Sequence, residues 1–306
     1  MSATWAAVDV ASWLQADSEF EEPLGGKEKF WFTGPDGHRY LFKYARCDDE
    51  GSNVRGEDWA EWVVAELAAL IGVPTATTRP GQYHGRRGIL SKSVVSGSER
   101  LVHGNELLAG AISGYEADTE RHNPGYTVEA IQKALADVGA PKDCGPSVES
   151  AFDAIAGYMM LDAWVAGRDR HHENWAVITD DGPPRLAPSY DHGNALGFQV
   201  PEEKLTVLAV DDTRLSVWSQ RGRSHHFAGK PTLVDVAVEA LSRTTPRARK
   251  YWLNRLSNVQ VVDLHAILDG VPSSLMSDLG RKFRVRLLVH NRERIIDECS
   301  QLADFG

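Results

Sequence analysis

The stretch Gly167-Arg168-Asp169-Arg170-His171-His172-Glu173-Asn174, followed by Ser189-Tyr190-Asp191, decides the fold of this chain. It brings two carboxylates and an amide directly after residues 151–165, which are apolar at helical spacing and at many positions between. This pattern predicts a largely buried helix with Gly167 at its end. The polar residues therefore extend from the end of a core helix.

The residues that follow predict a β-hairpin. Residues 175–178 are typical of a strand, residues 180–184 of a turn and residues 185–190 of a returning strand. In an antiparallel hairpin, the residue entering the first strand lies beside the residue leaving the second. We therefore expect Asn174 and Asp191 to meet at one end of the hairpin, with Asp169 just upstream.

These three side chains suit metal-assisted chemistry. An amide oxygen and a carboxylate are hard ligands of the kind that Mg²⁺ prefers, which predicts Asn174 and Asp191 as its ligands. Asp169, five residues before the asparagine, is placed to accept the proton of an attacking hydroxyl. The alternative is a polar turn whose side chains cap backbone groups, but the joint spacing after a buried helix favours the chemical interpretation.

The two adjacent histidines raise the question of a different metal. Neighbouring side chains such as His171 and His172 point in different directions, and no matching ligand cluster is evident elsewhere in the sequence, so a zinc site is disfavoured. We assign His171 to the loop of Asp169, which it is expected to brace by hydrogen bonds.

The run Asp169-Arg170-His171-His172-Glu173-Asn174, followed by Tyr190-Asp191, resembles the catalytic and metal-binding segments of HipA-like serine/threonine kinases. It also resembles those of phosphatidylinositol kinases, and both groups have the protein-kinase-like fold. The resemblance implies an α+β bilobal fold, with a small antiparallel-sheet N-lobe at residues 1–95 and a larger, mainly helical C-lobe at residues 96–306. It further implies ATP and Mg²⁺ as cofactors, Asp169 and His171 in the catalytic loop, and Asn174 and Asp191 at the metal. It covers residues 24–300, with strong motifs only between 151 and 197.

The N-terminal third contains residues suited to binding phosphate. Gly25 and Gly26 precede a predicted strand–turn–strand unit at residues 30–44. A glycine-bearing loop can bring backbone N–H groups close to phosphate oxygens, and a lysine on the neighbouring strand can neutralise them. By the resemblance, Lys43 is the phosphate-binding lysine and Lys29 belongs to the glycine-rich loop. The alternative is an exposed strand lysine.

The next predicted element is a helix that begins near Gly56 and ends at a glycine–proline stop at residues 72–74. Glu57 and Glu61 are four residues apart, one turn of this helix, so either could pair with Lys43. The resemblance favours Glu61, and the alternative is an ordinary solvated carboxylate.

Two strand-like runs follow between residues 79 and 95. The second, at residues 89–94, is expected to become the hinge between the lobes. The resemblance implies that adenine binds to its backbone, and Ser91, Lys92 and Ser93 are therefore assigned to the nucleotide site.

The remainder of the chain predicts a mainly helical region. Residues 115–147 are rich in Gly, Pro and charge and are expected to form a lid or an insertion. Residues 198–227 would contribute to an acceptor platform in a kinase, or else form a disordered surface loop. Helical periodicity is found at residues 128–138, 233–241, 247–256, 261–268 and 274–302.

Composition limits the partners and the location. The net charge of −10 opposes binding to nucleic acid or to anionic membrane surfaces, and no run approaches the roughly 20 apolar residues of a membrane span. The basic runs at residues 243–250 and 281–286 are expected to be solvated helix faces. Three scattered cysteines indicate neither a disulfide framework nor a zinc ribbon. The N-terminus lacks the pattern of a secretory signal, so we expect a cytoplasmic protein without the additional N-terminal subdomain of the longer HipA toxins.

Three functions remain open at this point. The first is a kinase of a serine or threonine hydroxyl in a protein or peptide, with an antitoxin-type protein as a possible further partner. The second is a phosphotransferase for a small molecule or lipid head group, which Arg170 supports because it also occurs in the lipid-kinase form of the motif. The third is an inactive nucleotide-binding pseudokinase or partner-binding module. We favour the first, and we expect no self-phosphorylation in the loop at residues 24–29 because it contains no Ser or Thr.

Overall fold

The structure is a computed structural model that describes residues 5–15, 29–46 and 55–303. Gly25, Gly26 and Cys47 lie outside the described residues, so the glycine-bearing loop stays a prediction.

A six-stranded sheet is formed by the N-terminal part of the described chain. Its strands are β1 Val8–Asp9, β2 Leu14–Gln15, β3 Lys29–Thr33, β4 Arg39–Tyr44, β5 Thr78–Tyr83 and β6 Arg86–Lys92. Their order across the sheet is β1-β5-β6-β4-β3-β2, and every pair is antiparallel except β1 with β5. The outer strands β1 and β2 have two residues each, too short to show an alternating pattern, and the sequence analysis missed them.

The two faces of β4 have different roles because successive side chains in a strand point to opposite faces. Tyr40, Phe42 and Tyr44 pack into an aromatic cluster with neighbours that include Phe32. The intervening Lys43 points the other way and reaches the helix that lies between β4 and β5 in the chain. Strand alternation therefore places one cation between the sheet and the rest of the protein.

This helix, α1, spans Glu57–Ile71. Trp59 and Trp62 are buried among apolar residues on several sides of the helix, as expected for a helix that packs between layers. It ends at Gly72, whose φ of 74° lies in the left-handed region that glycine adopts without strain. The predicted glycine stop is thus present.

The rest of the described chain is mainly helical. Its helices are α2 Gly104–Ala111, α3 Val128–Ala134, α4 Ala151–Val165, α5 Glu202–Leu208, α6 Asp212–Gln220, α7 Leu233–Ser242, α8 Pro246–Ser257, α9 Val261–Asp269 and α10 Asp278–Ala303. The strands β7 Arg100–His103, β8 Ala176–Thr179 and β9 Arg185–Leu186 form a second, antiparallel sheet. The predicted hairpin at residues 175–190 is therefore present as β8 and β9, although β9 is shorter than expected.

Helix α4 is the centre of the helical region, and all of its residues are buried. The indole N–H of Trp164 donates to the carbonyl of Leu288 in α10, and that of Trp252 in α8 donates to the carbonyl of Asp153. The residue that terminates the helix differs from the predicted Gly167, because Ala166 adopts the left-handed conformation, with φ of 54°. The loop that begins here is thus attached to an element that is packed on all sides.

Two expectations from the sequence are corrected. Residues 198–227 contain α5 and α6, so they do not form a disordered loop. The basic run at residues 281–286 is not a solvated face throughout, because Arg284 is 3% exposed and its guanidinium lies 4.5 Å from the ring centroid of Trp59. Burial lowers the pKa of Arg284 to about 9, and the cation–π contact compensates part of the lost hydration. The basic residues at 281–286 did not reveal the burial of Arg284, because α10 is 26 residues long and its residues differ in exposure.

A small, mainly antiparallel sheet and a larger, mainly helical region make an α+β, bilobal architecture, as predicted. The boundary at residue 95 stays a prediction. Within residues 5–15, 29–46 and 55–303, none of the helices is long and apolar enough to span a bilayer.

Candidate active site

Lys43 connects the sheet with the helical region. Its Nζ lies 3.0 Å from Oδ1 of Asp191 and 4.0 Å from Oε1 of Glu61. The sequence left Glu57 and Glu61 open as partners, and the structure places Glu57 near Arg46 instead, at 3.6 Å. The lysine side chain is 12% exposed, so its charge is held largely by these two carboxylates.

Lys29 lies directly across from Lys43 in the register of β3 and β4. Directly opposed residues of an antiparallel pair project from the same face of a sheet. The structure thus brings both predicted phosphate-binding lysines to one surface.

Asp191 follows β9 with its backbone in the left-handed region, at φ of 60°. Aspartate tolerates this conformation better than most residues, although it is less favourable than the right-handed one. Two residues later the chain passes close to α1: a Cβ added to Gly193 would lie 3.2 Å from the carbonyl oxygen of Glu57. The close approach fixes Asp191 relative to Lys43 and Glu61.

Arg170 anchors the loop that follows α4. Its Nε and Nη2 donate to the two carboxylate oxygens of Asp162 at 2.7 and 2.9 Å, and its Nη1 donates to the carbonyl of Asn174 at 2.8 Å. Burial raises the pKa of the Asp162 carboxyl, and the Arg170 charge beside it opposes that change. The Arg170 side chain is 6% exposed, and its hydrogen bonds to Asp162 and Asn174 make it a structural clamp of the loop.

Asn174 lies at the far end of this loop. Its side-chain nitrogen donates to the carbonyl of Asp169 at 2.5 Å. The preceding carbonyl, of Glu173, accepts from the hydroxyl of Tyr190 and from Nδ1 of His103, each at 3.0 Å. Since the amide nitrogen of Asn174 is used inside the loop, its Oδ1 is the atom left for a ligand. An amide oxygen and a carboxylate are donors of the kind that Mg²⁺ prefers, and the assignment of Asn174 and Asp191 to a metal stays a prediction.

Asp169 is paired with a residue that the sequence motif does not contain. Its Oδ1 lies 3.1 Å from Nε2 of His226, and its side chain remains 38% exposed. Burial is the largest single influence and by itself would raise the pKa of Asp169, but the hydrogen bond from His226 and the charges of His171 and His226 together outweigh it, and the pKa is lowered. Asp169 and Asp191 line the same small cavity, together with Arg168, His192 and Asn194.

The two histidines of the loop itself, His171 and His172, have structural contacts. Nδ1 of His171 accepts from the backbone N–H of Glu173 at 3.3 Å, and Nδ1 of His172 shares a hydrogen bond of 2.7 Å with the hydroxyl of Tyr115. Burial lowers the pKa of both, that of His172 to about 4, so both are neutral near pH 7. His171 therefore lies beside Asp169 as expected and contributes a loop hydrogen bond.

A second group of ligand atoms, from Glu120, Asp169 and His171, lies within 4.8 Å of one another. The His226 ring already binds the carboxylate of Asp169, and we assign no metal to this group.

The predicted hinge residues are partly engaged in the sheet. Ser91 and Lys92 belong to β6, and the N–H groups of Lys92 and Ser93 donate to the carbonyls of Thr77 and Arg39 at 2.8 and 2.9 Å. These two N–H groups are therefore occupied, and the connection to β7 begins only after them. Their assignment to the nucleotide site stays a prediction.

Two important residues escaped the sequence analysis. His226 was noted only as part of residues 198–227, and Asp162 was considered only as part of the core helix. A charged residue inside an otherwise apolar helix was a detectable signal for Asp162, because buried carboxylates require a partner. No local signal identified His226, which lies 57 residues from Asp169.

Known structures share this fold. Neither a protein-family model nor a curated protein matches the sequence. The Helicobacter pylori proinflammatory kinase CtkA superposes with a TM-score of 0.72 at 16% identity, over 98% of this chain and 99% of that chain. HipA of the Shewanella oneidensis toxin–antitoxin system, solved with HipB and operator DNA, gives 0.51 at 11% identity over 92% and 64%. The golgi casein kinase gives 0.50 at 12% identity over 99% and 72%. The predicted resemblance to HipA-like kinases is thus confirmed at the level of the fold.

Proposed function

We propose that this protein is an ATP- and Mg²⁺-dependent kinase that transfers the γ-phosphate to a serine or threonine hydroxyl of a protein or peptide. The observation that supports it best is the position of Lys43, with Nζ 3.0 Å from Asp191 and 4.0 Å from Glu61, in a protein-kinase-like fold. A strand lysine held by a helix glutamate and placed beside a metal-binding aspartate is the arrangement that phosphoryl transfer requires.

Each polar group has a distinct role in this proposal. Lys43 and Lys29 neutralise phosphate oxygens, and Glu61 keeps Lys43 in place. Oδ1 of Asn174 and the carboxylate of Asp191 hold Mg²⁺, which when bound neutralises charge on the phosphates. Asp169 orients the acceptor hydroxyl and takes its proton. Positioning and electrostatic stabilisation supply most of the rate, since the reaction needs no covalent enzyme intermediate.

The surroundings of Asp169 favour a large acceptor. Its carboxylate is 38% exposed, and it lies beside a surface made by the segments around Glu120 and His226. The alternative acceptor, a small molecule or lipid head group, was supported by Arg170, but that guanidinium is buried against Asp162 and the Asn174 carbonyl. The argument for a head group therefore loses its main residue.

Incubation of the protein with γ-labelled ATP, Mg²⁺ and whole-cell extract tests the proposal. The wild type is compared with Asp169→Asn and with Asp181→Asn, a matched control on the exposed hairpin turn. We expect label in the protein fraction that is lost in Asp169→Asn and retained in Asp181→Asn. Label in the lipid or small-molecule fraction would establish the alternative acceptor. Nucleotide binding without any label that depends on Asp169 would establish a pseudokinase.

The partner and the location stay predictions. The HipA structure contains HipB and DNA, and this chain matches 64% of the length of that HipA. An antitoxin-type partner is therefore a proposal that co-purification from the native host can test. Cytoplasmic location can be tested by fractionation of the same cells.

A further inference from the structure

His226 lies between two hydrogen-bond acceptors. Its Nε2 is 3.1 Å from Oδ1 of Asp169, and its Nδ1 is 3.0 Å from the backbone carbonyl of Glu120. A carbonyl oxygen can only accept, so Nδ1 carries a proton. An ionised carboxylate can also only accept, so Nε2 carries a proton as well. The geometry therefore requires the doubly protonated, positively charged ring.

The ring is held rigidly in this position. His226 is 3% exposed. Its segment is held by an antiparallel bridge between Arg223 and Thr232. The next residue, Phe227, packs against Tyr126 with ring centroids 4.4 Å apart. The segment that includes Glu120 is hydrogen-bonded to the segment of His226, because the N–H of His122 donates to the carbonyl of His225 at 2.9 Å. Two separate chain segments thus fix one imidazolium against Asp169.

The charged groups around the ring favour this protonation state. Facing it are Asp169, His171 and His172 from the catalytic loop, Glu120 from the segment before α3, and the neighbouring His225. Burial would lower the pKa of His226, but the hydrogen bonds and charges of Asp169 and Glu120 outweigh it and raise the pKa. The three other histidines have lowered pKa values, so the positive charge resides on His226.

We infer that His226 is a positioning residue for phosphoryl transfer: its imidazolium binds one carboxylate oxygen of Asp169 and leaves the other to receive the acceptor proton. This inference rests on the proposed function. In the step itself, the acceptor oxygen forms its bond to the γ-phosphorus, the bond from phosphorus to the β,γ-bridging oxygen breaks, and ADP leaves with that electron pair. The acceptor proton passes to Oδ2 of Asp169. His226 keeps both of its protons and neutralises the negative charge of the carboxylate in the ground state.

A pair of amide substitutions separates the two contacts of the ring. In His226→Gln, the amide nitrogen of the new side chain lies near the position of Nε2, so it can still donate to Asp169 without a charge. The amide of His226→Asn is one bond shorter, so it reaches the Glu120 carbonyl but not Asp169. His225→Gln is the matched control, since His225 is half-buried and contacts Arg168 rather than Asp169.

Two measurements test the inference. In the substrate-free wild type, ¹⁵N NMR of the histidine rings is expected to show both nitrogens of His226 protonated at pH 7, and the pKa is expected to fall in Asp169→Asn. In kinetics, His226→Asn is expected to lower kcat about 10- to 100-fold with KM for MgATP changed by less than about 3-fold, because the base is misplaced while the nucleotide site is intact. His226→Gln is expected to keep most of the wild-type kcat at pH 7. The wild-type kcat is expected to decline at alkaline pH as His226 loses a proton, and the kcat of His226→Gln is not.

Other results would overturn the inference. A neutral His226 ring at pH 7 in the wild type would do so whatever the activity, and even if His226→Asn failed to fold. A kcat of His226→Asn equal to that of His225→Gln would also do so, while transfer that depends on Asp169 would leave the proposed kinase function standing. If the wild type transferred no phosphate, the kinase proposal and this inference would both fail, and the NMR result would then describe only a structural ion pair.

Discussion

Breaking the buried pair of Asp162 and Arg170 is expected to destabilise the protein and to disable the catalytic loop. The two charge-assisted hydrogen bonds between them measure 2.7 and 2.9 Å, and both side chains are at most 10% exposed. Asp162→Asn preserves the shape of the side chain but leaves the guanidinium without its counter-charge. Arg170→Met removes the cation and also the donor to the Asn174 carbonyl.

The magnitude follows from the burial. Loss of one partner of a buried ion pair costs about 3–5 kcal/mol, because the remaining charge is uncompensated in a low-dielectric environment. With an unfolding entropy of about 2.1 cal/mol/K per residue over 306 residues, this corresponds to a decrease in Tm of about 5–8 °C. An exposed control pair should behave differently. Asp212→Asn breaks the contact with Arg286, where the aspartate is 95% exposed, and is expected to change the unfolding free energy by less than about 1 kcal/mol.

Thermal and urea unfolding of the two single variants and of the double variant Asp162→Leu/Arg170→Met provides the assay. The double variant should recover most of the lost stability, since neither charge remains buried. Its phosphotransfer should stay low, because the Asn174 carbonyl has lost its donor. The reasoning is refuted if the single variants unfold within about 1 kcal/mol of the wild type, or if the double variant loses as much as both singles together.

Three further predictions concern the candidate active site. Lys43→Met is expected to lower kcat/KM about 100-fold or more. Glu61→Gln is expected to lower kcat/KM only about 10-fold, because Asp191 still holds Lys43 in that variant. Steady-state kinetics at varied MgATP would contradict the prediction if Glu61→Gln had the larger effect. Gly193→Ala is expected to reduce kcat/KM with little change in Tm, because the added Cβ would lie 3.2 Å from the Glu57 carbonyl and displace the chain next to Asp191, the proposed metal ligand. A crystal structure of the variant would show the displacement. The ion pair of Asp169 and His226 is expected to stabilise the fold most between about pH 4 and 6.5, the ordinary pKa values of the two groups. Because the pKa of Asp169 is lowered and that of His226 is raised, the stabilisation is lost as the pH falls through the pKa of Asp169 and as it rises through the pKa of His226. The test is the unfolding free energy of His226→Gln and of the wild type at several pH values. A difference between the two proteins that did not vary with pH would contradict the prediction.

Local patterns were sufficient for most of the fold. The apolar residues of α4 predicted its first and last residues as observed, and the glycine–proline stop predicted the end of α1. The turn residues after Thr179 predicted the hairpin of β8 and β9. These features depend on backbone conformation and burial within a few consecutive residues, which a periodic sequence reports directly.

The side-chain partners required the tertiary structure. Glu57 and Glu61 lie on the same helix one turn apart, so spacing left them equivalent, and only the packing of α1 against β4 places Glu61 at Lys43. Arg284 was predicted to lie on a solvated helix face, but the packing of α10 places it against the ring of Trp59.

The sequence alone determined that a core helix would present two carboxylates and an amide from a short polar loop and a hairpin, because that information is contained in adjacent residues. Only the tertiary structure decided which cations neutralise the carboxylates: Lys43 for Asp191, His226 for Asp169, and Arg170 for Asp162 of the core helix. The energy of an ion pair depends on distance and burial in space, and residues as far apart in the chain as Asp169 and His226 acquire both only when the chain has folded.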